Sequence, residues 1–326
     1  MANAPLTEPV PVSHGTFLFS EPCHDLDTLD ADIVFMGIPY GHAYTVPALA
    51  NDQSNGPDTI RRVSDRVART LQRYDFDLGG PIYDNRPIKA VDVGNVPYDL
   101  TAPRGGHFAR AEAAMRKILR AGAIPVTFGG DHGIPIPVMR ALSELGPELG
   151  DEPITLVQID AHIDWRDEVN GVSDGLSSVI RRASERPHIG QIFQIGMRSS
   201  GSAHAGDVEA ALAYGANIIT SYEVHDHGMQ AVLDRIPDGG RFYLTIDMDG
   251  FDPSEAPGVE GPAPGGLYFH QVRKLIHGLV KKGRVVGMDV VEITPKRDVN
   301  NITSVLAGRL VANFIGAAVR ADYFGK

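Results

Sequence analysis

Of 326 residues, only Cys23 is a cysteine and only Trp165 a tryptophan. A single thiol excludes an intrachain disulfide framework and a thiolate zinc cluster, since both need several cysteines. Cys23 therefore reads as a spectator near the N-terminus. Basic charge is also short: 30 Lys and Arg face 41 Asp and Glu, a formal net charge of −11 with no long basic run. Surfaces that hold polyanions need clustered Lys and Arg, so no nucleic-acid or anionic-membrane partner is expected. No apolar stretch reads as approaching the ~20 residues that span a bilayer. The first fifteen residues carry several prolines and no apolar h-region, unlike a secretory signal. Together these absences point to a cytoplasmic protein whose partner is a small molecule.

Hydrophobic residues make up 43% of the chain, enough for a large core. Short β-branched apolar runs at 32–37, 88–93, 124–128, 155–160, 192–195, 216–219, 242–247 and 285–291 read as strands. Segments with helical spacing of apolar residues lie between them, at 108–121, 135–145, 208–214, 229–236, 269–282 and 302–318. Such alternation predicts an α/β fold, a parallel sheet covered by helices on both faces. With no repeat, low-complexity linker or composition break, a single domain over 32–326 follows an N-terminal extension over 1–31. Chemistry in such sheets gathers in loops at the carboxyl ends of the strands.

Three polar clusters fall at those ends. Gly129-Gly130-Asp131-His132-Gly133 follows the run at 124–128. Asp160-Ala161-His162-Ile163-Asp164 follows 155–159, and Asp247-Met248-Asp249 follows 242–246. If the strands continue, alternate residues share a face, so Asp160, His162 and Asp164 point together, as do Asp247 and Asp249. Any one of these alone would suit a cap, a turn or a buried hydrogen-bonded histidine. Four converging carboxylates, by contrast, repel one another unless a cation lies between them. Mixed imidazole and carboxylate donors suit Mn, Zn, Ni, Fe or Co, and six side chains are too many for one tetrahedral ion. A pair of divalent metal ions sharing bridging carboxylates is expected.

The segments GGDHG, DAHID, DMDGFDP and GMDVVEITP resemble the signature segments of the ureohydrolase family, which includes arginase and agmatinase. Gly37-Ile38-Pro39, Gly56-Pro57 with Ile60-Arg61, Asp92-Val93-Gly94, Ala256-Pro257-Gly258 and Pro264-Gly265-Gly266 add to the likeness, which runs from about Asp32 to the C-terminus. The resemblance implies a three-layer α/β/α arginase-like fold with a mainly parallel eight-stranded sheet. It implies one metal held by His132, Asp160, Asp164 and Asp247, and another by His162, Asp160, Asp247 and Asp249. Manganese is usual in the family and nickel occurs in some members. It further implies an amidinohydrolase, which releases urea and an amine from a guanidino compound. Asp164 then orients the attacking water, and Glu292 receives the guanidinium, whose forked N–H groups suit a carboxylate. Relatives assemble as homotrimers or homohexamers.

Some positions depart from the family pattern. Where relatives carry a His-Gly pair whose histidine moves a proton, this chain has Asp174-Gly175, so Asp174 stands as a replacement relay. Glu260-Gly261 replaces a common Gly-Thr, without a chemical reason visible in the sequence. Trp165 either caps the site by stacking on a planar cation or packs in the core. Asn170 and His42, from flanking loops, complete the candidate substrate contacts. These departures favour a guanidino compound other than arginine: agmatine, a guanidinoalkanoate, guanidine, or a substituted guanidine or biguanide. The alternatives are a mononuclear deacetylase, which would not need the full ligand set, and a weakly active subunit supporting a catalytic paralogue in a mixed oligomer.

Overall fold

The computed structural model describes residues 5–11, 15–41, 44, 52–97, 104–150 and 152–324. Among the described residues, nine strands form one sheet: β1 (Glu21–Pro22), β2 (Ile33–Ile38), β3 (Ala90–Asn95), β4 (Ile124–Gly129), β5 (Ile154–Ile159), β6 (Ile189–Met197), β7 (Asn217–Thr220), β8 (Arg241–Asp247) and β9 (Arg284–Val291). Their spatial order is β1-β3-β2-β4-β9-β8-β5-β6-β7, and every pairing is parallel. All eight expected strands are present. The ninth is the two-residue β1, which pairs with β3 at the edge and is too short to leave a pattern in the sequence.

Alternation along the strands separates two apolar layers. In β2, Ile33 and Phe35 face one cluster while Val34, Met36 and Ile38 face the other. The first is covered by the helices Ser221–Leu233, Phe269–Lys282 and Ile302–Arg320, the second by Arg104–Arg120, Pro135–Glu144 and Val179–Ser184. Helix, sheet and helix thus make three layers, as a parallel sheet buried on both faces requires. The helix expected at 229–236 instead begins at Ser221 and is interrupted at Gly228, whose φ of 78° leaves the right-handed region.

Two further expectations change. Ile302–Arg320 does meet the length and hydropathy of a membrane span, but 78% of its most apolar window is buried inside the fold. It is the central helix of a core layer, and its small residues Gly308, Ala312 and Gly316 let it approach its neighbours. Residues 15–31 are also woven into the domain. Phe17 is fully buried and meets Phe35 and Phe128 edge-on, each at 5.0 Å. Burial of one such ring contributes about 1.5–3 kcal/mol. Its N–H donates to Asp92 Oδ2, the carboxylate that also takes Nε and Nη2 of buried Arg61 at 2.9 and 2.8 Å.

Candidate metal centre

The three clusters lie where β4, β5 and β8 end, and the sheet order brings those ends close together. After β4 the chain turns at Gly130, where a Cβ would lie 1.8 Å from the carbonyl oxygen of Tyr40. Asp131 N–H donates to that same carbonyl, and Asp131 Oδ1 accepts from Gly133 N–H. His132 is thereby turned inward, 1% exposed.

The strands do not continue through the other two clusters. β5 ends at Ile159, and Asp160 Oδ1 accepts the N–H of His162 at 2.5 Å, a tight side-chain turn. Asp164 then adopts φ 45°. Asp247 ends β8 and caps a single 3-10 turn by accepting Asp249 N–H at 2.8 Å. The expected residues converge, but through aspartate turns rather than an extended backbone.

His132 Nδ1 lies 2.9 Å from Asp160 Oδ2, 3.0 Å from Asp164 Oδ2 and 3.1 Å from Asp247 Oδ2. His162 Nδ1 lies 3.2 Å from Asp249 Oδ2 and 3.5 Å from Asp160 Oδ1. Two adjoining groups result, His132–Asp160–Asp247 and Asp160–His162–Asp249, sharing Asp160 through its two oxygens. Asp164 belongs to the first by its distance to His132. Asp247 adjoins the second group through its turn onto Asp249, and Asp160 is the residue common to both.

The electrostatics call for cations. His132 Nε2 faces Thr245 Oγ1 at 3.0 Å, and that hydroxyl donates to Asp289 Oδ1 at 2.7 Å. The hydroxyl hydrogen is thus committed to Asp289, so Nε2 carries the ring proton and donates to Thr245. Nδ1 is left aimed at three carboxylates in a buried position, where a metal ion would take the lone pair that a proton otherwise fills. Burial disfavours a charged ring, yet Asp160, Asp164 and Asp247 outweigh it and hold the His132 pKa well above its ordinary value. Burial, Asp164 and Asp249 push the Asp160 carboxyl up to about 7. A buried set that would otherwise draw in protons is suited to divalent metal ions, which neutralise several carboxylates at once.

Supporting groups hold the set in place. Gln158 Nε2 donates to Asp160 Oδ2 at 2.6 Å and is itself fixed by Gln194, whose Nε2 reaches Gln158 Oε1 at 2.6 Å. Arg198, just past β6 and 7% exposed, donates to the carbonyls of Gly196, Asp249, Gly250, Phe251, Ala263 and Pro264. It clamps the loop bearing Asp249. Sequence reasoning missed it, although an arginine directly after a buried strand's carboxyl end was a usable signal.

Glu292 borders the centre. It is buried, with φ 66°; its Oε1 accepts His132 N–H at 2.8 Å and its Oε2 accepts Gln53 Nε2 at 2.8 Å. Burial and the nearby Asp131 raise its carboxyl to about 8.

The remaining expected contacts are placed differently. Both oxygens of Asp174 bind Arg140 Nη2, at 2.8 and 2.7 Å, so its carboxylate forms an ion pair with the helix Pro135–Glu144. Trp165 is 3% exposed and packs against Tyr214 with ring centroids 5.6 Å apart; it is a core residue. Asn170 (φ 52°) and Gly171 (φ 77°) form the tip of a hairpin closed by Val169 and Val172, and Asn170 is exposed. Its polar side chain suits the left-handed turn rather than a pocket. His42 lies outside the described residues. Elsewhere, His204 caps the helix Ala205–Tyr214 and His225 meets the Gly266 carbonyl at 3.0 Å.

Comparison with known proteins agrees with this arrangement. Residues 31–316 match the family model described as the arginase family. The chain belongs to the arginase family. It is 30% identical over 296 residues to a guanidinobutyrase of Pseudomonas aeruginosa, covering 88% of this chain and 86% of that protein. It is 30% identical over 303 residues to an agmatinase of Salmonella typhi, with 90% of each covered. Among solved structures, a hypothetical agmatinase of Burkholderia thailandensis superposes with a TM-score of 0.78 at 27% identity, covering 95% of this chain and 92% of that one. The arginase-family member described here is accordingly a hydrolase with the family's α/β fold.

Proposed function

We propose that this chain is an amidinohydrolase acting on a small guanidino compound other than arginine, with two divalent metal ions, manganese or alternatively nickel. His132, Asp160, Asp164 and Asp247 would hold one ion, and His162, Asp160, Asp247 and Asp249 the other. The observation that carries this reading is His132 Nδ1 ringed by three carboxylates, with Asp160 shared by the neighbouring His162 group. The similarity to a guanidinobutyrase and an agmatinase supports the substrate class.

When bound, such ions supply water of lowered pKa and polarise the electrophile. This chain's residues do the positioning. Glu292 receives the guanidinium fork through lone pairs not taken by His132 N–H and Gln53, since a carboxylate offers about four acceptor sites. Asp164 Oδ2, facing His132, orients the attacking water. That water's oxygen bonds to the guanidinium carbon and becomes the urea oxygen, the carbon–nitrogen bond breaks, and both of the water's protons leave with the amine in its ammonium form. The products are urea, or a urea derivative, and an amine. The Arg140 ion pair makes Asp174 a poor candidate for the proton relay.

The test is to load the purified chain with Mn or Ni, measure metal per chain, and assay urea and amine release across agmatine, guanidinobutyrate, guanidinopropionate, guanidine and a biguanide. About two ions per chain with turnover of one compound is the expected result. Less than one ion after loading would end the metal assignment. The reading as a supporting subunit gains nothing from the comparisons, whose matched proteins bear enzyme names.

A further inference from the structure

Gln53 lies in the turn Asp52–Asn55, 2% exposed, and its single amide nitrogen touches two carboxylates: Glu292 Oε2 at 2.8 Å and Glu260 Oε2 at 2.5 Å. Two oxygens within reach of one nitrogen are at most about 5 Å apart. Glu260 is exposed at the rim, while Glu292 is buried beside His132. Beyond Glu260 the rim adjoins the metal centre directly. A Cβ placed on Gly261 would lie 3.8 Å from Asp249 Oδ2 and 3.9 Å from His162 Cε1, so the glycine leaves that space open. The rim is also fixed: Thr294 N–H donates to the Gly258 carbonyl at 2.7 Å, and Arg297 Nη1 donates to the Glu260 carbonyl at 2.6 Å. Those bonds use backbone oxygen, and Gln53 occupies only Glu260 Oε2.

Resting on the amidinohydrolase reading, we propose that Glu260 is a specificity-determining carboxylate which, paired with Glu292 through Gln53, selects guanidino compounds bearing a second cationic group. A substrate carrying its own carboxylate meets Glu260 with like charge, and such juxtaposition is a means of rejecting the wrong partner. Of the two substrate types named by the relatives, the aminoalkyl guanidine fits this rim and the guanidinoalkanoate does not. Gln53 makes the arrangement specific, because its two amide hydrogens hold two carboxylates side by side that would otherwise separate.

The experiment compares the native metal-loaded chain with Glu260→Gln and Gln53→Leu. Steady-state kinetics with agmatine and 4-guanidinobutyrate are paired with calorimetric binding of the product-like amines 1,4-diaminobutane and 4-aminobutyrate. Native enzyme is expected to prefer agmatine. Glu260→Gln should lower kcat/KM for agmatine about fivefold through KM, as befits one partly exposed charge, and raise it for guanidinobutyrate. Diamine binding should weaken in parallel, and the salt dependence of the agmatine KM should shrink. An unchanged preference in Glu260→Gln, with normal metal content and melting temperature, would overturn the inference while leaving the amidinohydrolase reading intact. If the native chain hydrolyses no guanidino compound, that reading fails, and the diamine measurements still decide the role of Glu260.

Discussion

Replacing Asp289 by asparagine alters the support of His132 while keeping the shape of the buried group. Asparagine Oδ1 can accept the Thr245 hydroxyl, and its Nδ2 can donate to the Tyr243 hydroxyl that now donates to Asp289 at 2.8 Å. Burial raises the Asp289 carboxyl from 3.8 to about 6. With the folded value above the unfolded one, the group's contribution to stability is fully present below the unfolded pKa. It is lost as pH rises through about 6. A shift of this size makes the ionised form cost roughly 3 kcal/mol at pH 7. Asparagine carries no such cost. The metal-free variant should therefore melt no lower than the native chain at pH 7, and it should gain less stability on acidification from pH 6 to 4.

Metal binding should move the other way. The negative charge of Asp289 strengthens Thr245 as the acceptor for His132 Nε2–H, which fixes the tautomer and makes Nδ1 a better donor. Losing such an outer partner typically weakens metal affinity 10–100-fold. The stabilisation conferred by saturating metal should fall correspondingly, by about 1.4–2.7 kcal/mol. Calorimetric titration with Mn(2+), together with melting curves of chelated and loaded protein, reads both effects. Unchanged metal affinity would refute the His132–Thr245–Asp289 chain as a support. A metal-free variant melting several degrees lower would refute the claim that this buried charge is costly.

Three further outcomes are expected. Asp174→Ala should cost about 1 kcal/mol or less, since the pair with Arg140 is partly exposed; it should leave the pH–rate profile unchanged, whereas a proton relay would shift it. Arg198→Met strands the buried carbonyls around Asp249 and should cost about 3–5 kcal/mol, visible in denaturant unfolding of metal-free protein. Burial holds the His107 ring down to about 4. The stability this neutral ring contributes is present above its unfolded value and lost as pH falls through the folded one. His107→Gln should flatten that acid-side slope, worth about 3 kcal/mol between pH 6.5 and 4, in urea titrations across that range.

What could be read from the sequence follows from how local each feature is. The clusters at His132, Asp160 and Asp247 stood out because each directly follows a β-branched run, and the ends of buried parallel strands are where loops must face one another. Their convergence was expected for a reason that does not hold: the alternation rule needs extended backbone, and Asp160 and Asp247 instead accept N–H bonds from two residues on. Trp165 offered two roles that composition cannot separate, and contact with Tyr214 decided for the core. Asn170-Gly171 is a turn dipeptide flanked by two valines, a pattern that a stricter reading of hairpin signals would have assigned. Glu260 is the opposite case. Its departure from the family pattern is visible in the sequence but carries no chemistry there, because its partner Gln53 lies 207 residues away. Neither residue alone differs from any surface glutamate or loop glutamine. The candidate metal ligands are thus spelled out in short segments, whereas the pocket wall is assembled from contacts between loops. That is why the family was legible from the chain and the role proposed for the rim was not.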